Sequence, residues 1–173
     1  ESFNTFFCNI GPNLSSAVPN CERSFTFYLK EPNHHNLFFW PTVEEELSEL
    51  INSLKKGKSP GYDNIANDLI KKVAEGILKP LVHIFNLSMM NGVVPLKMKI
   101  AKVVPIFKKG ETEFLTNYRP ISLLTSFSKL LERIIYIRTI KFLNMGKVFS
   151  QFQFGFREKH TTSHAILHFV DKI

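Results

Sequence analysis

The sequence predicts an α+β fold that is mostly helical and carries a small antiparallel β-hairpin. After residue 41, several stretches have apolar side chains at helical spacing and are bounded by residues that start or stop helices. Two short apolar segments, residues 103–107 and 118–124, flank a charged loop and predict the two strands of the hairpin. With 173 residues, the chain is long enough for one ordinary domain with its own core.

The first forty residues predict an irregular leading segment or a linker. Nine aromatic side chains are scattered there among Asn, Pro and Ser, with no sustained period of 3.6 or 2. The chain begins with Glu1 and has no charged and then apolar leader, so we expect an internal piece of a longer reading frame. Cys8 and Cys21 form neither a Cys-x-x-Cys pair nor a disulfide framework, and they favour an intracellular location, cytoplasm and nucleus.

The first helix is predicted to begin at Thr42, where Thr42-x-x-Glu45 has the pattern of a capping box. Three glutamates in its first turn suit the helix dipole, and Gly57 can close its end. Its apolar side chains fall on one face: Val43, Leu47, Leu50, Ile51 and Leu54.

Two helices are predicted over residues 68–74 and 78–90. Gly92 is placed to stop the second of them, since glycine accepts the left-handed conformation common at helix ends. Pro80 fits the first turn of that helix, where the missing N–H costs little.

In the predicted hairpin, Pro105 and Pro120 lack a ladder donor, so each is expected at an edge or non-bonding position. A long helix should follow over residues 126–144 and end at Gly146. A last helix should begin near Thr161 and still be running at the final residue. Its predicted buried stripe is Ala165, Ile166, Phe169, Val170 and Ile173.

Charge is distributed unevenly along the chain. Residues 1–50 hold two basic and seven acidic side chains, a net −5, whereas residues 51–173 hold twenty basic and eight acidic, a net +12. Segregated basic charge suits a polyanionic partner, although a solvated basic surface is common enough that charge alone does not decide. The motifs decide the question.

Three cations accompany the predicted hairpin: Lys108, Lys109 and Arg119. Arginine offers a planar two-pronged donor and lysine a compact point charge, so a pair from facing strands suits a phosphate group. Read alone, such a hairpin is more often an exposed turn with solubilising charge. The flanking segments change this interpretation.

Three segments occur in a fixed order: residues 57–63 (Gly-Lys-Ser-Pro-Gly-Tyr-Asp), 102–124 and 153–162. Together they resemble the amino-terminal fingers region of a reverse transcriptase from a non-LTR (LINE-like) retrotransposon. The resemblance extends over residues 3–173. The second segment contains two motifs that resemble the family, Phe-Lys-Lys-Gly at residues 107–110 and Tyr-Arg-Pro-Ile-Ser-Leu at residues 118–123. It places the fingers region at residues 41–173.

The resemblance implies roles for particular residues. Arg119 falls on the family's nucleotide-binding arginine, and Lys108 or Lys109 on its lysine. Gln153, Arg157 and Lys159 fall near the template strand, although Arg157 is equally suited to holding its own loop. The implied partners are an RNA template, an RNA–DNA hybrid and deoxynucleoside triphosphates, with no membrane.

The family's Mg²⁺ ions are held by palm aspartates, including an Asp-Asp pair. No Asp-Asp pair occurs in this sequence, so we expect the chain to stop before the catalytic aspartates, to bind no metal and to be inactive alone. Asp63 is expected to have a structural role, in the turn at residues 59–63 or as a helix cap. His160, His164 and His168 share a helical face and favour a solvated or RNA-facing edge over a zinc site.

Two alternatives remain open at this point. The chain could be a non-catalytic nucleic-acid-binding remnant or domesticated module. It could also come from a group II intron maturase, which shares the fingers chemistry. The sequence around Arg119 favours the retrotransposon enzyme.

Overall fold

The computed structural model describes residues 1–19, 23–28 and 36–172. These residues form six α-helices and one two-stranded antiparallel sheet, which confirms the predicted α+β class. Among them, no helix combines the length and the apolar character needed to span a membrane. Cys21 and Ile173 fall outside the described residues.

Four helices enclose the core: α2 (Glu44–Ser53), α3 (Asn67–Lys72), α4 (Ala74–Asn91) and α5 (Ser126–Met145). Every fully buried apolar side chain of the described residues belongs to one of them. They are Leu47, Ile51, Ile70, Leu81, Phe85, Leu130, Leu131 and Ile134. The helices pack because each turns an apolar stripe towards the others, and the hairpin lies outside this core.

The predicted capping box at the start of α2 is wrong. The helix begins at Glu44, and the Thr42 hydroxyl donates to Glu46 Oε2 at 2.6 Å instead of capping the helix. The helix starts one residue later than the box requires, because the Val43 carbonyl accepts the first helical bond, from the Leu47 N–H at 3.1 Å. The helix ends at Ser53, and Gly57, at φ +66°, serves the turn that follows.

α4 begins at Ala74, four residues earlier than predicted, so Pro80 lies inside the helix and the first-turn assignment is wrong. Ile77 and Leu78 pack against the core, and this packing extends the helix ahead of the proline. The predicted stop is confirmed, since Gly92 has φ +66° and its N–H donates to Ser88 O.

The leading segment is not wholly irregular, because Ser2–Ser16 forms a helix, α1. Its larger apolar residues do recur at helical spacing: Phe3, Phe6, Phe7, Ile10 and Leu14. Gly11 and Pro12 interrupt that pattern and hide it in the sequence. The division between a leading segment and a domain from residue 41 stays a prediction.

α5 and its end at Gly146 agree with the prediction, and the Thr125 hydroxyl caps its start by accepting from the Ser128 N–H. The last helix, α6, spans Thr162–Val170, with the Thr161 side chain accepting from the His164 N–H. Its predicted buried stripe is wrong: Ile166, Phe169 and Val170 are all more than half exposed, and the helix ends at Val170. Periodicity reveals which face of a helix is apolar, but not whether another element covers it.

Candidate nucleotide and template site

The predicted hairpin is present and its register is defined. β1 (Ala101–Phe107) pairs antiparallel with β2 (Tyr118–Leu124), with Phe107 opposite Tyr118 and Ile106 opposite Arg119. One residue further, the Lys108 N–H donates to Asn117 O at 2.8 Å. The ladder therefore continues to Lys108, which lies at its loop end.

The register separates the two lysines that the sequence left equivalent. Side chains alternate between the faces of a sheet, so Lys108 lies on the same face as Ile106 and its cross-strand neighbour Arg119. Lys108 and Arg119 are diagonal neighbours, a separation of about 7–8 Å between backbones that two long side chains easily bridge. Lys109 lies beyond the ladder, in the bend of the loop, so the register does not place it beside Arg119. All three side chains are exposed.

Side-chain hydrogen bonds tie down the loop between the strands. Asn117 Nδ2 donates to Glu111 O at 2.8 Å, and the Tyr118 hydroxyl donates to Thr112 O at 3.0 Å. Gly110 has φ +94°, and a Cβ there would lie 2.6 Å from Asn117 Nδ2. The loop therefore requires glycine at this position, and its hydrogen bonds fix the backbone that carries Lys108.

An aromatic cluster supports the other face of the hairpin. The Tyr118 ring meets Phe107 edge-on at 5.5 Å and Phe3 of α1 edge-on at 4.8 Å. Such pairs are favourable beyond the area that they bury. Because Tyr118 and Arg119 are adjacent in one strand, α1 contacts the face opposite Arg119 and leaves the cationic face open.

The turn at residues 59–63 braces the base of the hairpin. A Cβ on Gly61 would lie 2.7 Å from Thr125 N, so the turn packs directly on the backbone joining β2 to α5. The Tyr62 hydroxyl donates to Lys97 O at 2.8 Å. Asp63 Oδ1 accepts from the Ile65 N–H at 3.2 Å, which confirms its predicted role in the turn.

The three residues predicted at the template lie in the loop between α5 and α6. Gln153 and Lys159 are exposed. Arg157 is half-buried: its Nη1 donates to Ser150 O and Gln153 O, both at 3.3 Å, and its guanidinium lies 5.1 Å from the Phe149 ring. Of the two roles open to Arg157 in the sequence, the structure shows the one that holds its loop.

Two of the three histidines, His160 and His168, pack against the phenylalanines of this loop, and His164 is exposed. His168 lies 5.5 Å from Phe152 and 5.7 Å from Phe154, and His160 lies 6.1 Å from Phe154. His168 therefore joins α6 to the loop, and His160 and His168 are half-buried, less solvated than predicted.

Arg138 holds a buried network that sequence reasoning missed. It is completely buried and binds Glu46 through two bonds, Nη1 to Oε1 at 2.6 Å and Nη2 to Oε2 at 2.7 Å. Its Nε donates to Trp40 O at 3.1 Å, and its guanidinium lies 4.8 Å from the Trp40 ring. The hydrogen bond from Arg138 is the main reason that the pKa of Glu46 lies below its ordinary value. The sequence contained one signal of this buried role. Arg138 lies one helical turn after Ile134, at a position that continues the buried apolar stripe of α5.

The described residues do not fit a two-metal centre. They contain no group of three or more His, Cys, Asp or Glu side chains placed to hold a metal ion. Asp63 Oδ1 is engaged by the Ile65 N–H of its turn. The exposed Lys108 and Arg119 of the hairpin suit anion binding.

Comparison with known proteins gives relatives of one kind. The chain is 37% identical over 135 residues to a probable RNA-directed DNA polymerase from transposon BS of Drosophila melanogaster, covering 78% of the chain and 15% of that protein. It is 36% identical over 134 residues to the RNA-directed DNA polymerase from mobile element jockey of Drosophila funebris, covering 75% and 15%. The jockey protein of Drosophila melanogaster is 35% identical over 147 residues, covering 83% and 16%. The chain thus spans about 15% of the length of these relatives. No family model matches it.

Proposed function

We propose that this chain, a homologue of one segment of the RNA-directed DNA polymerases of non-LTR retrotransposons, is the fingers region of such a reverse transcriptase. In this role it binds the incoming deoxynucleoside triphosphate and the RNA template. The chemistry of DNA synthesis, with its Mg²⁺ ions, belongs to parts of the enzyme outside this segment.

The hairpin register is the observation that carries the proposal. It brings Lys108 and Arg119 to one exposed face at the loop end of the ladder, while α1 and the Gly61 turn brace the other face and the base. A triphosphate needs several charge-assisted donors held in fixed positions. A short two-stranded ladder with a tied loop meets this need, with Arg119 providing the two-pronged donor and Lys108 the point charge.

The template side of the proposal rests on Gln153 and Lys159. Both are exposed in the α5–α6 loop, whose backbone Arg157 holds from within. We assign Arg157 to shaping the loop and Lys159 to the phosphates of the template. Gln153 is placed to meet the sugar or base edges.

The test is steady-state nucleotide kinetics in a reverse transcriptase that contains this segment. Arg119→Ala should lower kcat/KM for the incoming nucleotide by about tenfold or more, because a hydrogen bond to a charged group is lost. Arg119→Lys should restore little, since the planar fork is absent.

Lys109→Ala is the matched control for Lys108→Ala. The two lysines are neighbours with equal charge and both are exposed, but only Lys108 lies in the ladder that places it on the Arg119 face. The Lys108 variant should lose nucleotide affinity and the Lys109 variant should not. If Arg119→Ala lowers stability without changing the nucleotide dependence, the residue is structural and the proposal fails.

A further inference from the structure

Phe156 combines two unfavourable features in one residue. Its side chain is fully exposed, at 103% of the reference area, and its backbone has φ +60°. A bulky residue in the left-handed region is an outlier, and strained positions of this kind cluster at functional sites. Neither the strain nor the exposed ring benefits folding.

The strain is concentrated in one connection. Four residues other than glycine have positive φ in the described part of the chain, and three of them lie between α5 and α6: Lys147, Phe156 and Lys159. Arg157, between the last two, fixes the loop through its bonds to Ser150 O and Gln153 O. The loop is therefore held in a shape that directs the Phe156 ring outwards.

A groove of about 220 Å³ lies between α5 and this loop. α5 contributes Tyr136, Ile140 and Asn144, and the loop contributes Phe149 and residues 156–160. Its lining mixes aromatic rings with polar and basic groups. The volume is below the roughly 300–1,000 Å³ typical of sites for drug-sized ligands, so it suits a single ring system.

We propose that Phe156 and this groove hold one unpaired nucleobase of single-stranded RNA, with the Phe156 ring stacked on the base. The inference rests on the proposed function, since it gives the template-side loop a specific contact. Every base has an aromatic face, so such a site accepts any sequence, as a template path must. Lys159 is placed to meet the adjoining phosphate.

The surroundings favour RNA over a protein partner. Lys159, His160 and Asn144 line the groove beside the rings, with Glu158 as its one acidic residue, and residues 51–173 carry a net charge of +12. A protein-docking surface would instead centre on an apolar patch with few charges. A polar, basic groove next to one exposed ring matches the recurring arrangement for single strands, in which aromatic platforms follow a cationic path.

The experiment measures fluorescence anisotropy of the 173-residue chain with a labelled, unstructured RNA and with an abasic strand carrying the same phosphates. Phe156→Ala should weaken binding to the base-containing RNA by about five- to one-hundred-fold, the range for losing one stacked base. It should leave binding to the abasic strand unchanged. Phe25→Ala, also at an exposed phenylalanine, is the matched control and should change neither.

Phe156→Trp adds a second readout. The chain has one tryptophan, Trp40, so the new indole signal is obtained by difference, and a stacked base should quench it. If Phe156→Ala binds base-containing RNA as tightly as the unsubstituted chain, the stacking site is overturned while the proposed function stands. If the unsubstituted chain binds no RNA at all, both are overturned.

Discussion

Arg138 is the residue on which the core of this chain depends most. Its guanidinium is buried in the helical core. Glu46 and Trp40 O accept its hydrogen bonds, and the Trp40 ring contacts its charge. The same contacts hold the segment leading into α2, and Asn86 helps by exchanging two hydrogen bonds with the Thr42 backbone. One buried side chain thus joins α5, α2 and the segment before α2.

Arg138→Ala should therefore lower the free energy of unfolding by about 1–3 kcal/mol, because Trp40 O and the partly exposed Glu46 carboxylate lose the donor that satisfies them. Urea unfolding at neutral pH measures the change. Arg133→Ala is the matched control on the same helix: its side chain is exposed, and its loss should cost about 0.5 kcal/mol or less.

The pH dependence identifies the cause of that loss. Arg138 lowers the folded-state pKa of Glu46 below its ordinary value of 4.5, so the pair contributes stability above that value and loses it as pH falls through the folded pKa. The stability difference between the unsubstituted chain and Arg138→Ala should therefore shrink in acid. A difference that stays constant down to low pH would show that Arg138 acts by packing alone.

Single residues were the least predictable level of the structure. The role of Asp63 followed from its place after Pro-Gly, because a turn is decided locally. Thr42 has the local pattern of a cap, yet it bonds to Glu46, since the acceptor is fixed by Arg138 from 92 residues away. Arg138 itself appears in the sequence only as a break in an apolar stripe.

At the scale of elements, the hairpin is notable for its two prolines, which lie directly opposite each other. Lys108 and Asn117 form a bonded pair, and bonded and non-bonded pairs alternate, so Pro105 and Pro120 occupy a non-bonded pair. Their nitrogens point outwards, which confirms the predicted non-bonding position. No ladder bond is lost, and each edge lacks a donor at its centre.

This arrangement protects both edges from pairing with another strand. Replacing the prolines, as Pro105→Val with Pro120→Val, should keep the hairpin and increase self-association of the chain through its restored donors. Sedimentation velocity across a concentration series measures the effect. Ser122→Val is the control, because it raises β-propensity at a neighbouring position without adding a donor.

An unchanged sedimentation profile in the double variant would mean that the prolines serve another purpose.

The hairpin, α4 and α5 were predictable because their signals are local: a pattern of apolar residues and a stop signal within each segment. The helix α1 was missed because Gly11 and Pro12 interrupt its apolar pattern. α6 shows the limit of that reasoning. Its apolar stripe was visible in the sequence, but the exposure of Ile166 and Phe169 depends on what packs nearby.

For the whole molecule, the order of the three motifs predicted the family, and relatives at 35–37% identity bear this out. The sequence also predicted which residues to examine at the hairpin. It could not separate Lys108 from Lys109, because only the strand pairing shows that the ladder reaches Lys108 and stops before Lys109. Phe156 lay within a recognised motif, but its exposure and backbone conformation are properties of the fold.

At the scale of the whole molecule, the distribution of charge supports the proposed binding of RNA. The net +12 of residues 51–173 should attract RNA without any catalytic residue, while the net −5 of residues 1–50 should contribute nothing. Binding that neutralises phosphates releases counterions, so the logarithm of the binding constant should fall linearly with the logarithm of salt concentration. Sequence preference should be weak.

The most direct test is therefore a titration of single-stranded RNA with the 173-residue chain at several salt concentrations. We expect a slope of about −0.7 for each phosphate neutralised, and a slope shallower by about 0.7 in Lys159→Ala, which loses one phosphate contact. Deleting residues 1–35, a change that keeps Trp40 against Arg138, should leave the affinity equal or higher. A folded chain that shows no affinity for RNA at low salt would contradict the account.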